Sequence, residues 1–274
     1  MRREFRDRLP FVRIMKVLFI GDIVGKIGRT ATKALLPTVV TRYKIDLVIA
    51  NGENAAAGFG ITDKIVAELL GCGVHVITTG NHVWDKKEFI PQISKENRVL
   101  RPLNYPPGVP GYGSLLYPLH NSMKVAVINL AGRVFMSPID CPFRVGKEEI
   151  ERLSAFTKII IVDFHAEATS EKIAFGYYVD GKVSAVIGTH THVQTADEKV
   201  LPGGTAYITD VGMTGPSDSV IGIEKGQIIE RFLTSMPMRF ETAQGEGIFS
   251  ALVIEIDEET GRSTAVQRLQ LRYP

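Results

Sequence analysis

Residues Ser184–His192, SAVIGTHTH, run from an apolar stretch of strand length through Gly188 into His190 and His192. In an extended segment residues i and i+2 point the same way, so both imidazoles are expected to face one pocket. Four more apolar runs end alike. Lys16–Ile20 (KVLFI) meets Gly21-Asp22, and Asp46–Ala50 (DLVIA) meets Asn51-Gly52-Glu53-Asn54. Val74–Thr79 (VHVITT) meets Gly80-Asn81-His82, and Lys158–Asp163 (KIIIVD) meets Phe164-His165. Such runs, continuous rather than alternating, belong to strands buried on both faces.

Helical patterns separate them. One covers about residues 29–43, where Pro37 is expected to kink or split it. A second carries Ile65, Val66, Leu69 and Leu70 on one face and stops at Gly71, and a third spans about 146–156 with Ile150, Leu153 and Phe156 aligned. Further strand patterns lie at Lys124–Leu130 and at Ala206–Thr209, just before Asp210. Residues 250–256 and about 264–272 flank DEETG as an antiparallel hairpin. The Pro- and Gly-rich segment 97–122 reads as a lid or edge insertion. The whole predicts a layered α/β domain over residues 15–274, with ligands bound beyond the carboxyl ends of the strands.

Composition narrows the class. The 274 residues are 45% hydrophobic and 23% charged, as in a globular protein with a sizeable core. The net charge of +2 is too balanced for an electrostatic grip on nucleic acid, and no basic stripe with interleaved aromatics occurs. Five arginines against Glu4 and Asp7 make residues 1–14 net +3, which leaves −1 for the rest. Those fourteen residues read as a disordered leader, with Met15 a possible natural start. Cys72 and Cys141 cannot build a disulfide framework and fit a reducing, cytoplasmic setting. No apolar run nears the roughly 20 residues that span a bilayer.

Four of the six histidines fall at strand ends; His75 and His120 do not. With Asp22, Glu53, Asn54 and Asn81 they make a mixed oxygen and nitrogen donor set suited to iron, manganese or zinc. Taken singly, each has a plainer role. Asp22 could cap a helix, His165 could be a core histidine, and NGENAAAGFG could be a turn or a phosphate cradle. Five such ends in succession point to a common site.

The order Gly-Asp, Asn-Gly-Glu-Asn, Gly-Asn-His, His and Gly-Thr-His-Thr-His resembles the calcineurin-like metallophosphoesterases. The NGEN segment, GITDK at Gly60–Lys64 and DCPFR at Asp140–Arg144 are similar to the YmdB-like subgroup. That resemblance runs from about Met15 to the C-terminus and implies a two-sheet sandwich flanked by helices. It further implies two divalent metal ions, iron first and manganese or zinc as alternatives. Asp22, Asn54 and His192 would hold one ion, Asn81, His165 and His190 the other, and Glu53 would bridge. The implied activity is hydrolysis of small phosphodiesters, foremost 2′,3′-cyclic nucleotides, by a hydroxide shared between the ions with His82 as general acid.

Two positions depart from the wider superfamily. Its Asp-x-His is here Asp22-Ile23-Val24, and its bridging aspartate is Glu53; the Asn54 carboxamide could compensate for the missing histidine. A phosphomonoesterase or protein phosphatase on the same fold is the alternative activity, and a non-catalytic, metal-dependent nucleotide-binding regulator the alternative class. The expected partner is a small nucleotide phosphodiester, with no stable nucleic-acid complex, no membrane association, and a homo-oligomer left open. Arg133 could meet phosphate or simply be a surface arginine, and Asp210 could orient a histidine or cap a turn at Gly212.

Overall fold

In β1 (Ile14–Ile20) successive side chains enter two different cores: Met15, Val17 and Phe19 point one way, Leu18 and Ile20 the other. The same division recurs in β3 (Leu47–Asn51), β7 (Lys124–Ala131), β8 (Ile160–His165) and β9 (Ala185–Thr189). These strands are apolar without alternation because both faces are covered. The computed structural model describes residues 13–119 and 123–274.

Two sheets stack face to face. The first contains β2 (Asp22–Ile23), β12 (Met213–Pro216), β13 (Gly247–Asp257), β1, β3, β4 (Val76–Thr78) and β5 (Val99–Leu100) in that order, with β14 (Ser263–Tyr273) paired to β13. The second runs β10 (Lys199–Val200), β11 (Ala206–Ile208), β9, β8, β7 and β6 (Ser114–Pro118). Helices α1 (Gly25–Tyr43) and α2 (Asp63–Gly71) cover the outer face of the first sheet through Leu36, Val39, Ile65, Val66 and Leu69. Helices α3 (Pro142–Ser154) and α4 (Thr169–Tyr178) cover the second through Ile150, Leu153 and Phe175. Full burial of one such side chain contributes about 1.5–3 kcal/mol. The expected two-sheet sandwich flanked by helices is the fold.

Strands β1, β3, β4 and β5 are mutually parallel, as are β7, β8, β9 and β11. The parallel strands of each sheet therefore share one carboxyl end, and the polar strand-end motifs gather there. No helix among the described residues is long and apolar enough to cross a membrane.

Several boundaries differ from those expected. Ile14, assigned above to the leader, is the first residue of β1 and pairs with Asp257; residues 1–12 and His120 lie outside the described residues. Helix α1 begins at Gly25 and passes through Pro37 without splitting. The proline costs the bond to the Lys33 carbonyl on a face where both residues are exposed, so water can replace it. Helix α3 starts at Pro142, a residue suited to a first helical position, and ends before Phe156, which is exposed instead of aligned with Ile150 and Leu153. Segment 97–122 supplies β5 and β6, an edge strand of each sheet.

Candidate metal centre

The carboxyl ends of β1, β3, β4, β8 and β9 deliver side chains to one point between the sheets. Asp22, Glu53, Asn54 and His165 are buried there, with Asn81, His82, His190 and His192 partly exposed around them. One donor atom each from Glu53, His165 and His190 lies within 4.8 Å of the others, and Asp22, Glu53 and His192 form a second group of the same kind. Glu53 belongs to both. Asn81 joins the first group, its Oδ1 3.0 Å from His165 Nε2. Asn54 joins the second, its Nδ2 3.0 Å from Glu53 Oε1 and 3.1 Å from His192 Nε2; half a turn of the amide would exchange that Nδ2 for Oδ1.

The donor set fits divalent cations on three observations. Asp22 Oδ1 is buried with no hydrogen-bond partner, an arrangement that costs about 1–3 kcal/mol or more unless something else neutralises it. Gly80 passes so close that a Cβ would fill the space between Glu53 Oε2 and His165 Nε2. The ionisable groups also conflict. Burial pushes the Asp22 carboxyl up to about 7 despite the pull of His192 and His165. At Glu53 burial is outweighed by His165, His82 and His190, which hold the carboxyl well below its usual range. Burial disfavours a charged His165, but Glu53 and then Asp22 raise it to about 9. His190 is driven down to about 3 by burial and by the charge of His165. Cations between these groups would let both carboxylates ionise while the imidazoles stay neutral.

His190 and His192 do not share a strand face as the extended reading expected. Strand β9 ends at Thr189, and the two histidines have φ of 101° and 67°. Both imidazoles nonetheless line the same pocket, brought there by a turned backbone. Positive φ at residues other than glycine costs of order 1–3 kcal/mol each and needs support from the surroundings. Asp210 provides it. Its Oδ2 accepts from Thr191 N (3.0 Å), Thr191 Oγ1 (2.8 Å) and Lys172 Nζ (2.8 Å), and its Oδ1 accepts from Gly212 N (2.8 Å). Asp210 therefore caps the turn at Gly212 and also anchors the residue between the two histidines.

His82 lies at the pocket wall. Its backbone N–H donates to Glu53 Oε2 (3.3 Å), its ring meets Phe59 edge to face, and Nδ1 is 2.8 Å from Asp85 Oδ2. An ionised carboxylate only accepts, so Nδ1 carries the hydrogen and Nε2 is left for chemistry. Arg133 is exposed; its place is fixed by the main chain, whose N–H donates to Glu171. His75 accepts the Val48 N–H through Nδ1 and is structural.

Sequence reasoning missed Asp85, Asp163, Thr189 and Lys172. A His-x-x-Asp spacing pointed to Asp85, and Asp163 lies two residues before His165 in an otherwise apolar strand, a place where a carboxylate needs a purpose.

The YmdB-like protein family profile matches residues 18–269. A Bacillus subtilis (strain 168) protein named 2′,3′-cyclic-nucleotide 2′-phosphodiesterase is 50% identical over 255 residues, which is 93% of this chain and 96% of that protein. A crystal structure of a hypothetical protein from Thermus thermophilus superposes with a TM-score of 0.89 at 44% identity, covering 95% of this chain and 100% of that one. A Mycoplasma pneumoniae structure described as a novel phosphatase gives a TM-score of 0.90 at 37% identity, covering 96% and 95%. With two donor groups sharing Glu53 at the carboxyl ends of a two-sheet sandwich, the chain belongs to the YmdB-like protein family.

Proposed function

We propose that this chain is a two-metal phosphodiesterase that opens 2′,3′-cyclic nucleotides. The observation that carries this reading is the pair of donor groups sharing the buried Glu53. Asp22, Asn54 and His192 would hold one ion, Asn81, His165 and His190 the other, and Glu53 would bridge. Imidazole, carboxylate and carboxamide donors together suit iron, manganese and zinc alike, and iron is placed first on the resemblance to the YmdB-like subgroup. Two divalent ions held there would supply Lewis acidity toward phosphoryl oxygens and a nucleophile drawn from water. The name of the Bacillus relative supports the substrate class.

The chain's own residues do the remainder. His82, protonated on Nε2 as well as on the Nδ1 that faces Asp85, gives the Nε2 proton to the departing ribose oxygen; such proton donation contributes about 10²–10⁴-fold. Asp85 holds the ring in place through the Nδ1–H. Asp210 and Lys172 fix the turn that carries His190 and His192. Thr189 fixes the tautomer of His165.

Turnover of 2′,3′-cyclic AMP, bis-p-nitrophenyl phosphate and p-nitrophenyl phosphate by the metal-loaded protein tests this reading. The two diesters are expected to be hydrolysed and the monoester to be poor. Preference for the monoester would make the chain a phosphomonoesterase, and tight cyclic-nucleotide binding without product would make it a sensor.

A further inference from the structure

Beside the metal centre the chain holds a bulky side chain where folding gives it no reward. Phe135 is 89% exposed and sits at φ 61°. An exposed aromatic buries nothing, and positive φ is a genuine outlier for a bulky residue. The backbone around it is nevertheless clamped. Glu171, at the start of α4, accepts from Arg133 N through Oε1 and Oε2 (3.0 and 3.1 Å) and from Val134 N (3.2 Å). Gly132 lets that carboxylate approach, since a Cβ there would crowd Glu171 Oε2.

The clamped loop forms one wall of a cavity of about 390 Å³ lined by Asn81, Phe135, Met136, Ser137 and His190. Asn81 and His190 come from the candidate metal centre, so the cavity opens directly from it. A second cavity against the centre, containing Phe59 and His82, holds only about 120 Å³. Sites for small organic ligands run about 300–1,000 Å³, which only the larger of these two satisfies.

We propose that Phe135 is the stacking platform for the nucleobase of the substrate, with Met136 beside it, while the phosphate lies at the Asn81 and His190 end. This rests on the phosphodiesterase reading above and adds where the base goes. Every base has a π-face, so one exposed aromatic ring accepts purines and pyrimidines alike and predicts a broad base tolerance. Backbone strain of this kind clusters at ligand sites, and Glu171 holds the main chain just before the strained residue.

The test is equilibrium binding of 3′-AMP, and of base-free glycerol 2-phosphate, to metal-loaded wild type, Phe135→Ala and Phe135→Tyr proteins. Phe135→Ala is expected to weaken 3′-AMP about 5- to 100-fold, the loss that accompanies one base–aromatic stack. Phe135→Tyr should restore it, and glycerol 2-phosphate should bind all three proteins equally. Melting temperatures should stay at or above wild type, because the side chain removed is exposed. Equal 3′-AMP affinity in wild type and Phe135→Ala, equal loss for both ligands, or no 3′-AMP binding by wild type would overturn the proposal. Turnover of 2′,3′-cyclic AMP by wild type separates the two readings: its absence removes the phosphodiesterase assignment, whereas its presence with an inert Phe135→Ala change removes only the platform.

Discussion

Thr189 Oγ1 lies 2.9 Å from His165 Nδ1 and 2.7 Å from Asp163 Oδ1. The hydroxyl has one hydrogen, which goes to the carboxylate, so it must accept from Nδ1–H. With Nδ1 so engaged, Nε2 is the nitrogen that faces Glu53 and Asn81, and a bound cation there would replace its proton. Partners of this kind fix the ring and tautomer of a metal-binding histidine. Replacing Thr189 by Val keeps the shape and removes both bonds. Stability is expected to fall by about 1–3 kcal/mol in urea denaturation, and metal affinity by about 10- to 100-fold. An unchanged metal affinity would deny the hydroxyl this role.

Lys172 and Asp210 form an ion pair in which neither side chain is exposed. Breaking a buried pair from one side leaves an uncompensated charge and costs about 3–5 kcal/mol. Lys172→Met is expected to destabilise by that order, and the Lys172→Met, Asp210→Asn double variant by less than the sum of the two single changes. Thermal melts of the four proteins check both statements.

His82→Ala should keep the bound metal and lose about 10²–10⁴-fold in kcat, and Asp85→Asn should lose less. Metal content measured alongside kcat distinguishes a proton donor from a ligand. Loss of metal in His82→Ala would move that residue into the ligand set.

Metal uptake should depend on pH with a definite sign. Burial raises Asp22 to about 7 in the metal-free fold, so at pH 6 it is mostly protonated and must release a proton to bind a cation. Apparent affinity is therefore expected to weaken on going from pH 8 to pH 6, as read by competition with a chelating dye. Affinity that strengthened toward low pH would contradict the assignment of Asp22.

The central strands and the converging ends were legible because parallel strands buried on both faces leave uninterrupted apolar runs, and the polar residues follow at once. Helix α4 was not. Its inner face carries Glu171 and Lys172 beside Phe175 and Gly176, so charges that serve the Arg133–Val134 main chain and Asp210 interrupt the apolar period. Strand β12, MTGP, has little intrinsic strand character and exists because β2 and β13 flank it. Helix α5 (Lys225–Thr234) buries none of its residues, and Ile229, Phe232 and Leu233 face water, so no buried stripe marks it. At the site, residue types were readable but geometry was not. His190 and His192 converge through two positive-φ residues held by Asp210, a tertiary arrangement that no local period encodes.

Removing metal should destabilise the whole fold, since Asp22 and Glu53 are buried between the two sheets. A chelator is expected to lower the melting temperature, with recovery on adding ferrous or manganous salt. An unchanged melt in a protein first shown to contain metal would deny the cation any structural contribution.

The decisive measurement is the transition-metal content of protein purified without chelator, wild type against Glu53→Gln. Because Glu53 is common to both donor groups, wild type should carry close to two ions per chain and the variant should lose both together. Wild type with one ion or none, or Glu53→Gln retaining both, would contradict a binuclear centre built on that carboxylate.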